Sequence, residues 1–381
     1  MHLHEKNNIF TKFWLNFLLE CGIIVTIIDH LPKTEMIGMC SGLSVRCSDS
    51  VKRRCSMKEL LKNLCDKYLL NLGLFTDFYP LERDILYPVC ANVFCAADAV
   101  FDLGKFKDSM ELIKDNPKVL SSFRSTVRPL IASLLSVSGD PRGEMEKYFG
   151  CYELLRKYFT NSEHLALLSL LLVRIAPAES AEDYIKRGRQ IYDRMKKEHR
   201  ILTTKEDVAF AVMLAFSEKT DDELIEDMEA CYKLLKKRAD NNSIQTVSHV
   251  LAMANGDPED KCAKFGELYD SMIKKGRKYG KHYELAMLAA LSITKFSSAE
   301  ILDDISDSEN FLSQHRSVGD LSEFGKEEPM SHTFLLLTIA YAGDENVSSE
   351  SERHALLAAR QATLYSVLVY SMMTVAPLVP E

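Results

Sequence analysis

Residues Asp221 to Ala254 read DDELIEDMEACYKLLKKRADNNSIQTVSHVLAMA. In the first half, Leu224, Met228, Cys231 and Leu235 recur at i, i+4, i+7 and i+11, which puts them on one face of a 3.6-residue helix. Thr220 followed three residues later by Glu223 forms a capping-box pattern, and Asp221 and Asp222 add negative charge at the positive pole of the helix. Lys236, Lys237 and Arg238 sit at the opposite pole. From Asn242 and Gln245 a second helix is expected, carrying Val247, Val250, Leu251 and Ala254. Neither helix can bury its apolar stripe alone, so the stretch predicts a helix pair packed against other pairs.

The tyrosine of CYKLL serves as a ruler along the chain. Tyr152, Tyr192, Tyr232 and Tyr269 follow one another at steps of 40, 40 and 37 residues. The positions four before, one before and three after each tyrosine are Tyr148, Cys151 and Leu155; Gly188, Ile191 and Met195; Met228, Cys231 and Leu235; and Phe265, Leu268 and Met272. Gly188 is the one misfit. A weaker copy places Phe106, Ser109 and Ile113 around Met110, and vaguer helix pairs lie on both sides, as terminal units of a repeat array should. Gly-Asp-Pro at 139–141 and again at 256–258 marks two first-helix starts 117 residues apart: glycine ends a helix, aspartate caps the next and proline fits its first turn. The expected fold is all-α, a helical-repeat array of about six to seven αα hairpins with a period of about 40 residues. An open α-solenoid is the first expectation and a closed α/α array the second.

The chain has 381 residues, 46% hydrophobic and 27% charged, which suits a soluble, helix-rich protein with a large core. A net charge of -8 argues against a dominant phosphate-binding surface, so no nucleic-acid partner is expected. Ten cysteines without a CxxC pair or a convincing signal peptide read as reduced thiols of a cytoplasmic protein, with Cys151 and Cys231 as small core residues. Residues 1–56 differ from the rest. Their apolar run from Phe13 to Ile28 is short for a membrane span and is broken by Asn16 and Glu20, so an atypical extension is expected, either disordered or lying upstream of a natural start at Met57. Residues 57–381 form the expected single repeat domain. The longest loop is expected from Ser313 to Pro329, followed by an apolar helix from Phe334 to Tyr341. Near the C-terminus, a helix at about 353–375, interrupted for membrane purposes by Arg360 and Gln361, is expected to cover the end of the stack.

The blocks CYELLRKYF, IYDRMKKEHRILTTKEDVAFA, MEACYKLLKK, SHVLAMANGDPEDKC and RKYGKHYELAMLAAL occur in order. With them the chain resembles a family of proteins from Gram-positive bacteria known only as a domain of unknown function, from about Met57 to the end. The resemblance implies a start near Met57 and supplies no activity, ligand or catalytic residue.

Known chemical signatures are missing: the sequence has no HExxH, GxGxxG, P-loop or GxSxG pattern. The acidic run Asp303 to Glu309 lacks the central glycine of a calcium loop, and its acids are expected at a helix end and in a solvated loop. No metal or cofactor is expected. Doubled basic residues at Arg156-Lys157, Lys196-Lys197, Lys236-Lys237 and Lys274-Lys275 could form a ridge for an anionic partner, but charges at helix C-termini explain them, at about 0.3–1 kcal/mol each. Polar residues gather where second helices begin, and equivalent positions in an array line one edge. The groove candidates are Arg124, Arg128, His164, Asp207, His249, Tyr283 and Glu284. The expected function is non-enzymatic binding of a peptide or protein partner. One alternative is an acid–base hydrolase or lyase on a closed barrel using Glu206, Asp207, His249 and Glu284; another is a peptide-sensing regulator, although no DNA-binding helix-turn-helix is recognisable near the N-terminus. An open arc would favour the scaffold. A closed ring whose central cavity is lined by those acids and the histidine would favour the enzyme.

Overall fold

A computed structural model of the chain describes residues 49–78, 86–115, 128–176, 178–276, 282–314 and 328–342, together with positions between 349 and 366. The expectations for residues 1–48, for the loop at 315–327 and for the tail beyond 366 lie outside the described residues. Contacts divide the chain into Met1–Met57 and Lys58–Glu381, and the helix pairs lie in the second unit.

Among the described residues there are fourteen α-helices, one 3-10 helix and no strand. The α-helices are α1 (Asp49–Phe78), α2 (Leu86–Ala96), α3 (Leu103–Asp115), α4 (Arg128–Ser136), α5 (Pro141–Arg156), α6 (Glu163–Ile175) and α7 (Ala181–Glu198). After the 3-10 turn Lys205–Asp207 come α8 (Val208–Leu214), α9 (Asp221–Leu235), α10 (Asn241–Ala252), α11 (Pro258–Lys274), α12 (His282–Ser292), α13 (Ser298–Gln314) and α14 (Glu328–Ala342). α1 begins at Asp49 and runs through Met57.

The local signals that end and begin these helices are the ones the residue types dictate. Asp140 and Asp257 cap α5 and α11 by accepting from Gly143 N and Glu259 N, and Pro141 and Pro258 occupy the first turns, where a missing N–H costs nothing. Gly256 holds a φ of +113°, a conformation that glycine adopts without penalty. Thr220 and Glu223 cap α9 reciprocally, with Thr220 N donating to Glu223 Oε2 at 2.7 Å.

Odd- and even-numbered helices differ in burial. In α5, α7, α9 and α11 the buried residues form a stripe that includes every position named by the tyrosine ruler. The even helices are buried on all sides: Leu165 to Leu172 of α6, all of α8 and Ser243 to Ala252 of α10 are buried. A helix buried all round belongs to an inner layer, and a one-sided helix covers it. Gly188 owes its identity to this arrangement. A Cβ there would lie 2.7 Å from Val212 Cγ2 and 2.8 Å from Val212 Cα, so α7 approaches the backbone of α8 at a distance only glycine permits.

Successive hairpins pack through both layers. In the outer layer α5 meets α7, α7 meets α9, α9 meets α11 and α11 meets α13. In the inner layer α2 meets α4, α6 meets α8, α8 meets α10, α10 meets α12 and α12 meets α14. α14 also packs against α2, where Asn92 Nδ2 and His332 Nδ1 are 3.5 Å apart. Nearby, Tyr68 of α1 stacks on His332 at 6.1 Å, and Lys58 pairs with Asp307 of α13 at 3.2 Å. Helical positions recur from 350 to 366, and Leu356, Ala359, Ala362, Thr363, Tyr365 and Ser366 among them are buried.

Candidate functional site

Two regions concentrate polar side chains within this apolar interior. The first lies where α6 and the 3-10 turn begin, against the last turn of α10. Thr204 caps the turn: its N–H donates to Asp207 Oδ2 at 2.7 Å, and its hydroxyl accepts from Glu206 N at 3.3 Å. Asp207 Oδ1 stands 3.5 Å from His249 Nδ1. Burial raises the Asp207 carboxyl to about 7, against the opposing pull of the Thr204 amide, and burial lowers the His249 imidazole to about 3. Tyr365 enters from the C-terminal segment. Its hydroxyl donates to the Glu206 carbonyl at 2.8 Å and lies 3.2 Å from His164 Nδ1, so the imidazole supplies the proton for the second contact. The Tyr365 ring packs edge-on against Phe210 at 5.3 Å.

The structure thus joins His164, Asp207 and His249, three of the seven groove candidates, through one connected cluster. Glu284 is buried on α12, and Arg128 opens α4 half-buried. Arg124 and the side chain of Tyr283 lie outside the described residues. His249 is 2% exposed, Asp207 7% and Glu284 1%. Sequence reasoning did not select Tyr365, whose chain position within an apolar tail gives no sign of a hydrogen-bonded role.

The second region is a cavity of about 260 Å³ bounded by α2, α4, α6 and α14, with Arg360 of the C-terminal segment on its wall. Leu130, Leu134, Leu170 and Leu335 make it apolar, and Arg174, in the last turn of α6, brings a second guanidinium. Ala96 and Ala97 line it too and are exposed, which places the mouth beside the end of α2. Arg174 Nη2 donates to the Tyr148 hydroxyl at 3.2 Å. Arg360 makes no hydrogen bond or ion pair among the described residues, and burial followed by the neighbouring Arg174 charge lowers its affinity for its proton. None of the acid–base candidates lines this cavity.

Other expectations resolve simply. The run Asp303–Glu309 is not a loop but lies inside α13, where Asp304 is fully buried and accepts from Tyr341 Oη at 2.9 Å. The doubled basic residues are exposed at first-helix C-termini, where the macrodipole favours them. The described cysteines Cys65, Cys90, Cys95, Cys151, Cys231 and Cys262 are buried thiols. Burial raises Cys90 and Cys151 to about 12, which keeps them protonated and unreactive. Among the described residues no group of three or more His, Cys, Asp or Glu could hold a metal ion, and no helix is long and apolar enough to cross a membrane.

An all-helical chain with this interior belongs to a defined family. Residues 78–368 match the model of the family described as "Protein of unknown function (DUF4003)", and the chain is a member of it, as the ordered sequence blocks implied. Both arginines of the cavity fall within the matched region. Among curated proteins, the chain is similar to the uncharacterised protein YeaA of Bacillus subtilis strain 168, at 25% identity over 224 residues, 56% of this chain and 67% of the relative. No solved structure matches the chain.

Proposed function

We propose that the protein is a non-enzymatic binding protein built as a closed α/α array of seven helix hairpins, with its ligand site in the cavity beside Arg174 and Arg360. Closure is supported by the packing of α14 on α2 and by the Lys58–Asp307 pair between the first and last outer helices. A closed array on its own would suit an acid–base enzyme equally well. What favours binding is that three of the four side chains such an enzyme would use, Asp207, His249 and Glu284, are buried, whereas the described lining of the cavity presents apolar walls, an amide and two guanidinium groups. That composition binds an anionic group with an apolar body and offers no base or nucleophile to transform it. A peptide or protein partner remains compatible through an anionic, apolar terminus entering the mouth.

The test is to incubate the purified full chain with a bacterial small-molecule and peptide extract, wash it and weigh it by native mass spectrometry. The expected result is a bound mass on the wild-type chain that is lost in Ala97→Trp, a substitution at the exposed mouth. A chain that acquires no bound mass, or keeps it undiminished in Ala97→Trp, would sink the reading.

A further inference from the structure

Resting on that reading, we infer that the cavity is a site for a single-chain carboxylate amphiphile of about eight to ten carbons, with Arg360 as the residue that grips its head group.

Arg360 is the observation that demands a partner. A guanidinium carries five donors in a planar fork, and here it stands half-buried without a hydrogen bond or ion pair among the described residues. Its nearest charged neighbour on the cavity wall is another cation, Arg174. Two like charges brought together in a partly apolar setting repel each other and lose hydration, a cost that an anion set between them would reverse. Arg174 is already oriented, since Tyr148 accepts one of its donors. A carboxylate matches the fork of Arg360 in two parallel bonds.

The rest of the wall selects the body of the ligand. Leu130, Leu134, Leu170 and Leu335 provide no polar partner, so a polyhydroxylated or multiply charged ligand would leave buried polar groups unmet. A volume of about 260 Å³ holds roughly nine groups of the size of a water molecule, each occupying about 30 Å³ in the liquid and close in bulk to a methylene. A long membrane-type acyl chain would not fit inside, and acetate would leave most of the apolar wall uncovered.

The experiment uses the full chain and four probes below their micelle concentrations: decanoate, decan-1-ol, decyl phosphate and acetate, followed by calorimetry and by the shift in melting temperature. Decanoate is expected to bind saturably and raise the melting temperature. Decan-1-ol should bind at least tenfold more weakly, decyl phosphate no more tightly than decanoate, and acetate not at all. Arg360→Gln should weaken decanoate at least tenfold while decan-1-ol binding stays unchanged, a comparison that keeps a charge effect apart from loss of folding. Arg360→Lys should recover part of the affinity, because it restores charge without the fork. Equal binding of decanoate and decan-1-ol, undiminished binding in Arg360→Gln, or preference for decyl phosphate would each overturn the inference. An apolar tripeptide with a free C-terminus that binds where decanoate does not would also overturn the acyl assignment, while leaving the binding-protein reading intact. That reading falls separately if the extract experiment yields no bound mass.

Discussion

Three buried side chains of the inner layer change their proton affinity on folding, and they do not pull in the same direction. His249 falls from 6.5 to about 3, and Asp207 rises from 3.8 to about 7. Between about pH 4 and 6.5 the folded chain lacks a proton at His249 that the unfolded chain holds, and keeps one at Asp207 that the unfolded chain has lost. Their linkages therefore oppose each other and are similar in size. His332 has no such counterweight. Burial alone lowers it from 6.5 to about 4, so its contribution to stability is intact above pH 6.5 and is lost as pH falls towards 4. Over that window the loss amounts to about 3 kcal/mol, at 1.36 kcal/mol per pKa unit. His332→Phe should lose about that much less stability than the wild type between pH 7 and pH 4.5 in urea denaturation, since Asn92 Nδ2 keeps the Pro88 carbonyl at 3.0 Å. Parallel losses in the two proteins would show that the imidazole is not held neutral. The burial of His249 follows the ordinary fate of a histidine within an apolar stretch of helix. Its contact with Asp207, 42 positions away, had no local sign.

At the scale of helices, charges at one recurring position join three of the hairpins to the next. Five residues before the ruler tyrosine stand Lys147, Arg187, Asp227 and Lys264. Arg187 of α7 donates to the carbonyls of Ala215 at 2.9 Å and Ser217 at 2.6 Å, and pairs with Asp221 at 2.9 Å. Lys264 of α11 donates to the Thr294 carbonyl at 2.5 Å. Both cations thus satisfy carbonyls left over where an inner helix ends, the groups that most need donors. Asp227 reverses the charge, and lysines on either side take over the task. Lys219 and Lys261 each lie 2.6 Å from Asp227 Oδ2, while Lys219 reaches the Ala252 and Ala254 carbonyls at 3.1 and 2.6 Å. Asp227 is 8% exposed, so without its charge two ammonium groups would face each other with little water. Asp227→Asn should cost about 3 kcal/mol in denaturant unfolding, the usual penalty for breaking a buried pair from one side. Adding Lys261→Met should restore part of the loss by removing one of the stranded charges. An unchanged midpoint in the single variant would mean that the lysines find water instead.

The whole molecule shows which features a sequence can carry. First helices were legible because a one-sided helix writes its buried face as a 3.6-residue stripe, and caps such as Thr220 with Glu223 mark its start. Second helices such as Leu165–Leu172 are buried all round and have no stripe, so their start signals alone located them. Arg360 was visible only as a charge interrupting an apolar run and Arg174 carried no signal at all, because what makes them neighbours is the meeting of α6 with a segment about 180 residues later. The proposed closure is the least legible feature of all. It depends on the summed rotation of seven hairpins, and no residue of α2 or α14 records that its neighbour lies at the other end of the domain. The proposed closure nevertheless has an observable consequence. In an open stack each unit is supported by its neighbours, and the end units, supported on one side only, open first. In a ring α2 is supported by α4 and α14, much as α8 is supported by α6 and α10. Amide hydrogen exchange followed by mass spectrometry should therefore show protection of α2 and α14 within about tenfold of that in α8 and α10, with all four lost in a single cooperative opening. Protection that decays steadily from α10 towards α2 and α14 would mean that the contact between the two does not hold in solution, and that the array is an open solenoid.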